Sequence, residues 1–144
     1  MNRRDFEALR ALPGKYILDD IVFKAERGMG PSLVFRNIRV FNAMNLGVFL
    51  NGTFKPRLNA ITYNFVLSGT GPICRIDVNS TIHGEAGRTH KHELESETDP
   101  LYNLPNAIII RDLGEPTPLA VWKRVCTGAN IEHRGRFVEP VDER

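Results

Sequence analysis

Three of the four histidines of the chain, His83, His90 and His92, lie within a stretch of ten residues. Histidine changes its charge near neutral pH, and the neutral imidazole is a common metal ligand. A His-x-His pair that follows a glycine-containing loop therefore predicts either a site of proton transfer or a metal site. We expect the chemistry of the protein to take place in this stretch.

A strand-like segment that leads into the histidines carries Arg75 and Asp77. The two residues are separated by one apolar position, so period-two geometry predicts that they share a polar face of a sheet. Thr62 and Asn64 alternate in the same way in the preceding segment, and we expect them beside Arg75 and Asp77. Two interpretations stay open. The residues form an ion pair within a strand, or the arginine holds an anionic group while the aspartate orients a histidine.

The i, i+2 spacing of His90 and His92 suits two kinds of chemistry, because a strand places both residues on one face. One neutral and one protonated imidazole can act as general base and general acid. Alternatively, both histidines bind one divalent metal such as Zn²⁺, and His83 and Asp77 complete the ligand set. A solvated polar loop that is rich in histidine without a chemical role is the third interpretation.

Two cations among the histidines, Arg88 and Lys91, favour the metal-free interpretation. A positive charge repels a divalent metal and attracts a phosphate group. We therefore predict phosphodiester chemistry without a cofactor. The predicted catalytic residues are His83, His90, His92, Arg75 and Arg88, and the predicted substrate-binding residues are Lys91, Asp77 and Asn64.

A short metal-site pattern overlaps the histidines and consists of Gly84, five further residues, His90-x-His92 and then Glu97. This pattern resembles the first motif of the cupin family, which implies a metal-binding enzyme. The chain departs from the motif at Leu104, where a glycine is expected, and no second motif with its own histidine follows. A metal-binding His-x-His enzyme of the cupin kind stays an alternative.

A longer pattern joins the histidines to the strand before them and to a helix near the end of the sequence. It consists of Arg75-Ile-Asp77, His83, His90-x-His92 and the closing run from Cys126 to Asn130-Ile131. In these positions the second half of the chain resembles a small bacterial and phage-associated family of unknown function. The chain differs at Thr89, where a proline is usual, and in the acidic run 93–99, where an aromatic-rich segment is expected. The resemblance implies a shared site without an established activity.

The elements that position these residues predict an α+β fold, with an N-terminal helix, an antiparallel β-meander of about five to seven strands and a closing C-terminal helix. The first helix, at about 3–12, has one apolar face and ends at Pro13-Gly14. The closing helix, at about 118–127, starts at Pro118 and ends before Gly128. Trp122 lies at core spacing within it.

Alternating patterns and one continuous apolar run predict strands at 20–25, 32–41, 58–68, 73–79 and 107–110. Asn51-Gly52 predicts a type I′ hairpin turn between two short strands. Residues 69–72 predict a second hairpin turn. In the strand at 32–41, we expect Phe35 on the side opposite to Val34 and Ile38.

The composition is that of an ordinary soluble domain, with 42% apolar and 25% charged residues in a chain of 144. This length predicts one globular domain, residues 1–139, followed by a frayed end at 140–144. The net charge of +2 does not by itself indicate a nucleic-acid binder, although arginine, which suits phosphate, supplies 14 of the 19 basic residues. Cys74 and Cys126 predict core thiols rather than a disulfide. No signal peptide or membrane-spanning run is visible, so we expect a cytoplasmic protein without a membrane partner.

These observations favour a small metal-independent ribonuclease of the toxin kind found beside antitoxin genes, with RNA as substrate and an antitoxin as protein partner. One histidine removes the 2′-hydroxyl proton, a second protonates the leaving oxygen, and an arginine stabilises the phosphorane. The alternative is a non-enzymatic binding protein, such as a phage-encoded inhibitor or antitoxin-like partner. It would contact a host target through the acidic run 93–99 or through Arg36, Arg39 and Arg57.

Overall fold

The computed structural model describes residues 1–28, 30–78 and 117–140 and the backbone of residues 90–93 and 106–109. These residues contain eleven strands and two α-helices. The helices are α1 (Arg3–Ala11) and α2 (Pro118–Ala129). The strands are β1 (Lys15–Ile17), β2 (Ile21–Val22), β3 (Lys24–Ala25), β4 (Leu33–Val40), β5 (Val48–Lys55), β6 (Ala60–Leu67), β7 (Gly71–Val78), β8 (His90–Glu93), β9 (Asn106–Ile109), β10 (Ile131–His133) and β11 (Phe137–Val138). β3 to β9 form one antiparallel sheet in which each strand pairs with the next along the chain. The predicted α+β fold, with its two helices and antiparallel meander, is confirmed.

Each helix begins where an N-cap side chain accepts a hydrogen bond from the backbone N–H three residues on. The distance is 2.8 Å for Asn2 and 3.1 Å for Thr117. α2 ends at Asn130, which adopts the left-handed conformation with a φ of 52°. The prediction that Gly128 lies past the end of this helix was wrong, because asparagine also tolerates that conformation and caps the helix. Neither described helix is both long and apolar enough to cross a membrane.

One face of the main sheet, called the core face here, packs against α1 and α2 in a single apolar cluster. Trp122 of α2 is 2% exposed and lies against Tyr63, with the ring centroids 5.5 Å apart. The Tyr63 hydroxyl donates a hydrogen bond to the carbonyl oxygen of Pro118 at 2.6 Å, which ties the start of α2 to the sheet. Trp122 and Cys74 are core residues, as predicted, whereas Cys126 is only half-buried against the cluster. Neither cysteine forms a disulfide within the described residues.

Two short parallel ladders join the two ends of the described chain, β1 with β10 and β2 with β11. His133 of β10 links these ladders to α2. Its Nδ1 accepts a hydrogen bond from the indole N–H of Trp122 at 3.1 Å, and its Nε2–H donates to the carbonyl oxygen of Asp19 at 2.9 Å. The sequence predicted neither ladder, because parallel pairs of two or three residues leave no period to detect. Residues 141–144 of the predicted frayed end lie outside the described residues.

Asn51-Gly52 lies in the middle of β5, so the predicted hairpin turn at this dipeptide is wrong. The chain turns instead at Pro56–Leu58, a short 3-10 helix between β5 and β6. Glycine is required at position 52 because a Cβ there would lie 2.1 Å from the ring of Phe35. Asn-Gly has the local preference of a turn. The ring that makes glycine necessary comes from the neighbouring strand, which a local pattern does not include.

A β-bulge in β4 reverses part of the predicted alternation of this strand. The register with β5 shifts between Phe35 and Ile38, and Asn37 adopts a φ of 60°. Phe35 therefore joins Ile38 and Val40 in the apolar cluster, whereas Val34 lies outside it. The prediction that Phe35 lies opposite to Ile38 was wrong, because the extra residue of a bulge shifts all later side chains by one position.

The other strand predictions are confirmed, with one division. β6 and β7 form the predicted second hairpin and are joined by a turn at 68–70. The segment 20–25 divides into β2 and β3, which belong to different sheets. β9 lies within one residue of the strand expected at 107–110.

Gly135→Ala is expected to disrupt the junction between the chain ends. A Cβ at position 135 would lie 2.2 Å from the carbonyl oxygen of Asp19, and backbone atoms cannot move aside as a flexible side chain does. We expect the free energy of unfolding, measured in urea, to fall by about 2 kcal/mol or more. Gly128→Ala is the matched control, because its Cβ meets nothing within 4 Å and helix propensity predicts a gain of about 0.5–1 kcal/mol. Equal effects of the two substitutions would contradict the close approach.

Lys15 holds the end of α1, since its Nζ donates to the carbonyl oxygens of Arg10 and Leu12 at 2.7 and 2.6 Å. Burial lowers the pKa of this ammonium group from 10.5 to about 8. Between these two pH values the unfolded chain binds a proton that the folded protein does not, so the stability rises with pH. Below the folded pKa both states are protonated, and the full cost of burying the charge is present.

We therefore expect the free energy of unfolding of the wild type to rise relative to that of Lys15→Met between about pH 8 and about pH 10. Urea denaturation of both proteins at each pH measures this difference, and groups common to both cancel. A difference that stays constant over the whole range would show that the ammonium group is not desolvated in the folded protein.

Candidate functional site

The second face of the main sheet, called the polar face here, carries residues that the sequence predicted to lie together. Thr62 is in register with Asp77, and Asn64 is in register with Arg75. Directly opposed residues of an antiparallel pair share a face, with Cβ atoms about 5 Å apart. The predicted polar group is therefore confirmed for these four residues.

Asp77 is the centre of this group, and its side chain is only 5% exposed. The carboxylate oxygen Oδ1 accepts a hydrogen bond from the Thr62 hydroxyl at 2.8 Å. The other oxygen, Oδ2, accepts from the Nε–H of Arg75 at 2.9 Å. A buried carboxylate needs such partners, because an unpaired charge is costly to remove from water. Together the two contacts fix the orientation of the carboxylate.

Two buried polar atoms on the same face, Oδ1 of Asn64 and Nε of Arg39, have no hydrogen-bond partner within the described structure. The Arg39 guanidinium lies over the rings of Phe41 and Phe49, 5.4 Å from each centroid, and cation–π attraction offsets part of its burial. A buried carbonyl oxygen without a donor costs free energy. The Asn64 carbonyl oxygen thus carries this cost within the described structure.

The backbone of β8 brings two of the predicted histidines next to this group. His90 is in register with Asp77, and His92 is in register with Arg75. A strand at the His-x-His pair was only a condition in the sequence analysis, and the backbone of this pair does form a strand. The structure thus joins Arg75, Asp77 and the two histidines across one antiparallel pair.

The structure describes the other predicted site residues only in part. Lys91 lies opposite Ile76 and so alternates with the two histidines along β8. His83 and Arg88 lie outside the described residues. Among the side chains that the structure describes, no three histidines, cysteines or carboxylates are grouped as a metal site requires. The side chains of the three clustered histidines are not in that set, so the metal alternative stays a prediction.

Asn51 belongs to the polar face and was missed by the sequence analysis. It is in register with Asn64, and its side-chain oxygen accepts a hydrogen bond from the backbone N–H of Asn37 at 2.9 Å. The alternation of Leu50 and Phe54 with Asn51 and Thr53 was the available sequence signal, and the burial pattern of β5 follows it. The turn preference of Asn-Gly pointed away from it.

Comparisons of the chain with known protein families, with curated proteins and with solved structures find no match. The resemblances to cupins and to a bacterial and phage-associated family therefore stay predictions from the sequence. The function of the polar face has to be argued from its geometry and chemistry.

Asp77→Asn is expected to lower the free energy of unfolding by about 3 kcal/mol, because it removes one charge of a buried ion pair. Glu26→Gln is the matched control, since Glu26 pairs with Arg36 at 3.1 Å where both side chains are exposed. We expect the control to lose less than about 1 kcal/mol. Urea denaturation at neutral pH measures both values, and similar losses would show that burial of Asp77 does not distinguish the two pairs.

Proposed function

We propose that the polar face is the active site of a small metal-independent endoribonuclease. The register of β7 with β8 carries this proposal, because it sets Asp77 opposite His90 and Arg75 opposite His92. Since opposed residues of an antiparallel pair share a face, these four residues occupy two adjacent register positions on one face of the sheet. This is the set of groups that metal-free cleavage of a phosphodiester requires.

In the proposed reaction His90 is the general base. A carboxylate that accepts the Nδ1–H of an imidazole holds the ring in one tautomer and leaves Nε2 to take a proton. The orientation of the Asp77 carboxylate, fixed by Thr62 and Arg75, supports this role. His90 removes the proton of the 2′-hydroxyl of RNA, and the 2′-oxygen then attacks the adjacent phosphorus.

His92 is the general acid in the same reaction. It gives a proton to the 5′-oxygen as the bond between that oxygen and phosphorus breaks. The products are a 2′,3′-cyclic phosphate and a free 5′-hydroxyl. Because the 2′-oxygen is the nucleophile, RNA is a substrate and DNA is not.

Arg75 supplies the positive charge that the transition state needs. Its Nε–H is held by Asp77 at 2.9 Å, which fixes the plane of the guanidinium, and its side chain is 25% exposed. A guanidinium recognises phosphate oxygens through parallel N–H donors, and donors fixed in advance stabilise the developing charge of the phosphorane. Asn64, in register with Arg75, is the proposed neighbour of the bound nucleotide. In the toxin-like role, a protein antitoxin would cover the same face.

His90→Ala and His92→Ala are each expected to lower cleavage of a labelled single-stranded RNA by about 100-fold or more in the presence of EDTA, because each removes one proton-transfer group. Arg75→Gln is expected to lower cleavage as well. Arg57→Gln is the matched control, since Arg57 is exposed in the turn between β5 and β6. Circular dichroism of each variant is the check that the variant is folded.

Three results would contradict the proposal, and the second and third each favour a different alternative. RNA cleavage that is unchanged in both histidine variants would remove the polar face as the active site. A stoichiometric metal in the wild type that is lost in the double histidine variant would favour a metal-binding His-x-His enzyme. A wild type that cleaves no RNA but forms a tight complex with a host protein, insensitive to histidine substitution, would favour a binding protein.

A further inference from the structure

An apolar cavity of about 220 Å³ lies between the core face of the sheet and the two helices. Phe65 and Ile76 of the sheet, Leu9 of α1, and Val121 and Val125 of α2 contribute to its lining. A cavity of about 150 Å³ with a similar lining binds benzene. The space in this protein is therefore sufficient for a bicyclic ring or a medium-length hydrocarbon chain.

Three cationic residues, Arg10, Lys15 and Arg124, line the same cavity, and no acidic residue is among its described lining. Arg10 already pairs with Glu7 of α1. Lys15 is a buried cation, because it is only 4% exposed. Its hydrogen-bond partners among the described residues are two backbone carbonyl oxygens. An ammonium group has three donors, and the contacts within the described residues account for two of them.

We propose that this cavity binds a small amphipathic carboxylate, with its hydrocarbon body between α1 and α2 and its carboxylate at Lys15 and Arg124. The apolar lining matches the body, and the cations match the head group. Removal of the ammonium group from water disfavours its charge, as the lowered pKa of Lys15 indicates. A carboxylate in the cavity would offset that cost.

The cavity lies on the other side of the sheet from the proposed ribonuclease site. Cys74 and Ile76 line the cavity, whereas Arg75 and Asp77, which alternate with them along β7, belong to the polar face. Binding of a carboxylate in the cavity is therefore independent of RNA cleavage, and each proposal can fail without the other.

Calorimetric titration of the full chain with octanoate, octanol and octylammonium tests the proposal, because the three probes share a hydrocarbon chain and differ in the head group. We expect one octanoate to bind per protein. The affinity for octanol is expected to be lower by about tenfold or more, and octylammonium is expected not to bind. Equal affinities for octanol and octanoate would overturn the proposal that the site recognises a carboxylate head group. No binding of octanoate would overturn the site.

Two kinds of variant locate the bound octanoate. Val125→Phe fills the cavity and is expected to abolish binding, with Ala129→Leu as a second filling variant if the first does not fold. Lys15→Met is expected to lower the affinity for octanoate about tenfold and to leave the affinity for octanol unchanged. Arg134→Gln controls for net charge, because this guanidinium lies over the ring of Tyr16, 4.1 Å from its centroid, and Arg134 is not among the lining residues.

Octanoate binding that survives in a folded filling variant would overturn the cavity as the site. Equal weakening of octanoate by Lys15→Met and Arg134→Gln would show that net charge, and not Lys15, holds the carboxylate.

Discussion

The pairing of β6 with β7 is the constraint on which both faces of the main sheet depend. From Ile61–Val78 to Phe65–Cys74 the two strands face each other residue by residue. A slip of one residue would exchange the faces and turn the Asp77 carboxylate toward the helices. The free energy of burying that charge in an apolar cluster opposes such a slip. The register thus follows from the contrast between apolar and polar positions along both strands.

β7 takes part in both proposed sites because its neighbouring residues point to opposite faces. Arg75 and Asp77 belong to the polar face, and Cys74 and Ile76 line the apolar cavity. A central strand is held by backbone hydrogen bonds on both sides, so it is among the most rigid places in a small domain. Such a strand can position a carboxylate or a guanidinium more accurately than a loop can.

The chain ends are held by contacts of a different kind. His133 accepts from Trp122 and donates to Asp19, and the close approach at Gly135 brings the backbone of the C-terminal segment against the connection between β1 and β2. These contacts are single hydrogen bonds and one glycine, not a repeating pattern. They nevertheless join α2, β10 and the start of the chain, which closes the helical layer over the core face.

The period-two segments and the caps determined most of the fold from local sequence. Alternation of apolar and polar residues is a property of consecutive positions, so β6, β7 and a shared polar face for Thr62 and Asp77 followed from it. The amphipathic pattern and the prolines at positions 13 and 118 placed both helices to within about two residues. The same local reasoning located Arg75 and Asp77 on a strand, whereas the strand at the His-x-His pair came from the structure.

Only the tertiary structure decided which residues meet across strands and between chain ends. Gly52 is a strand residue because the Phe35 ring lies over it, and the bulge in β4 moves Phe35 to the core face. The buried Lys15 and its cavity arise from two helices and a sheet that are distant in sequence. A local pattern holds no information on such contacts, because their free energy belongs to pairs of residues and not to either residue alone. The sequence by itself thus determined the two helices, most of the longer strands and the polar group, and packing decided the short ladders, the glycine, the bulge and the cavity.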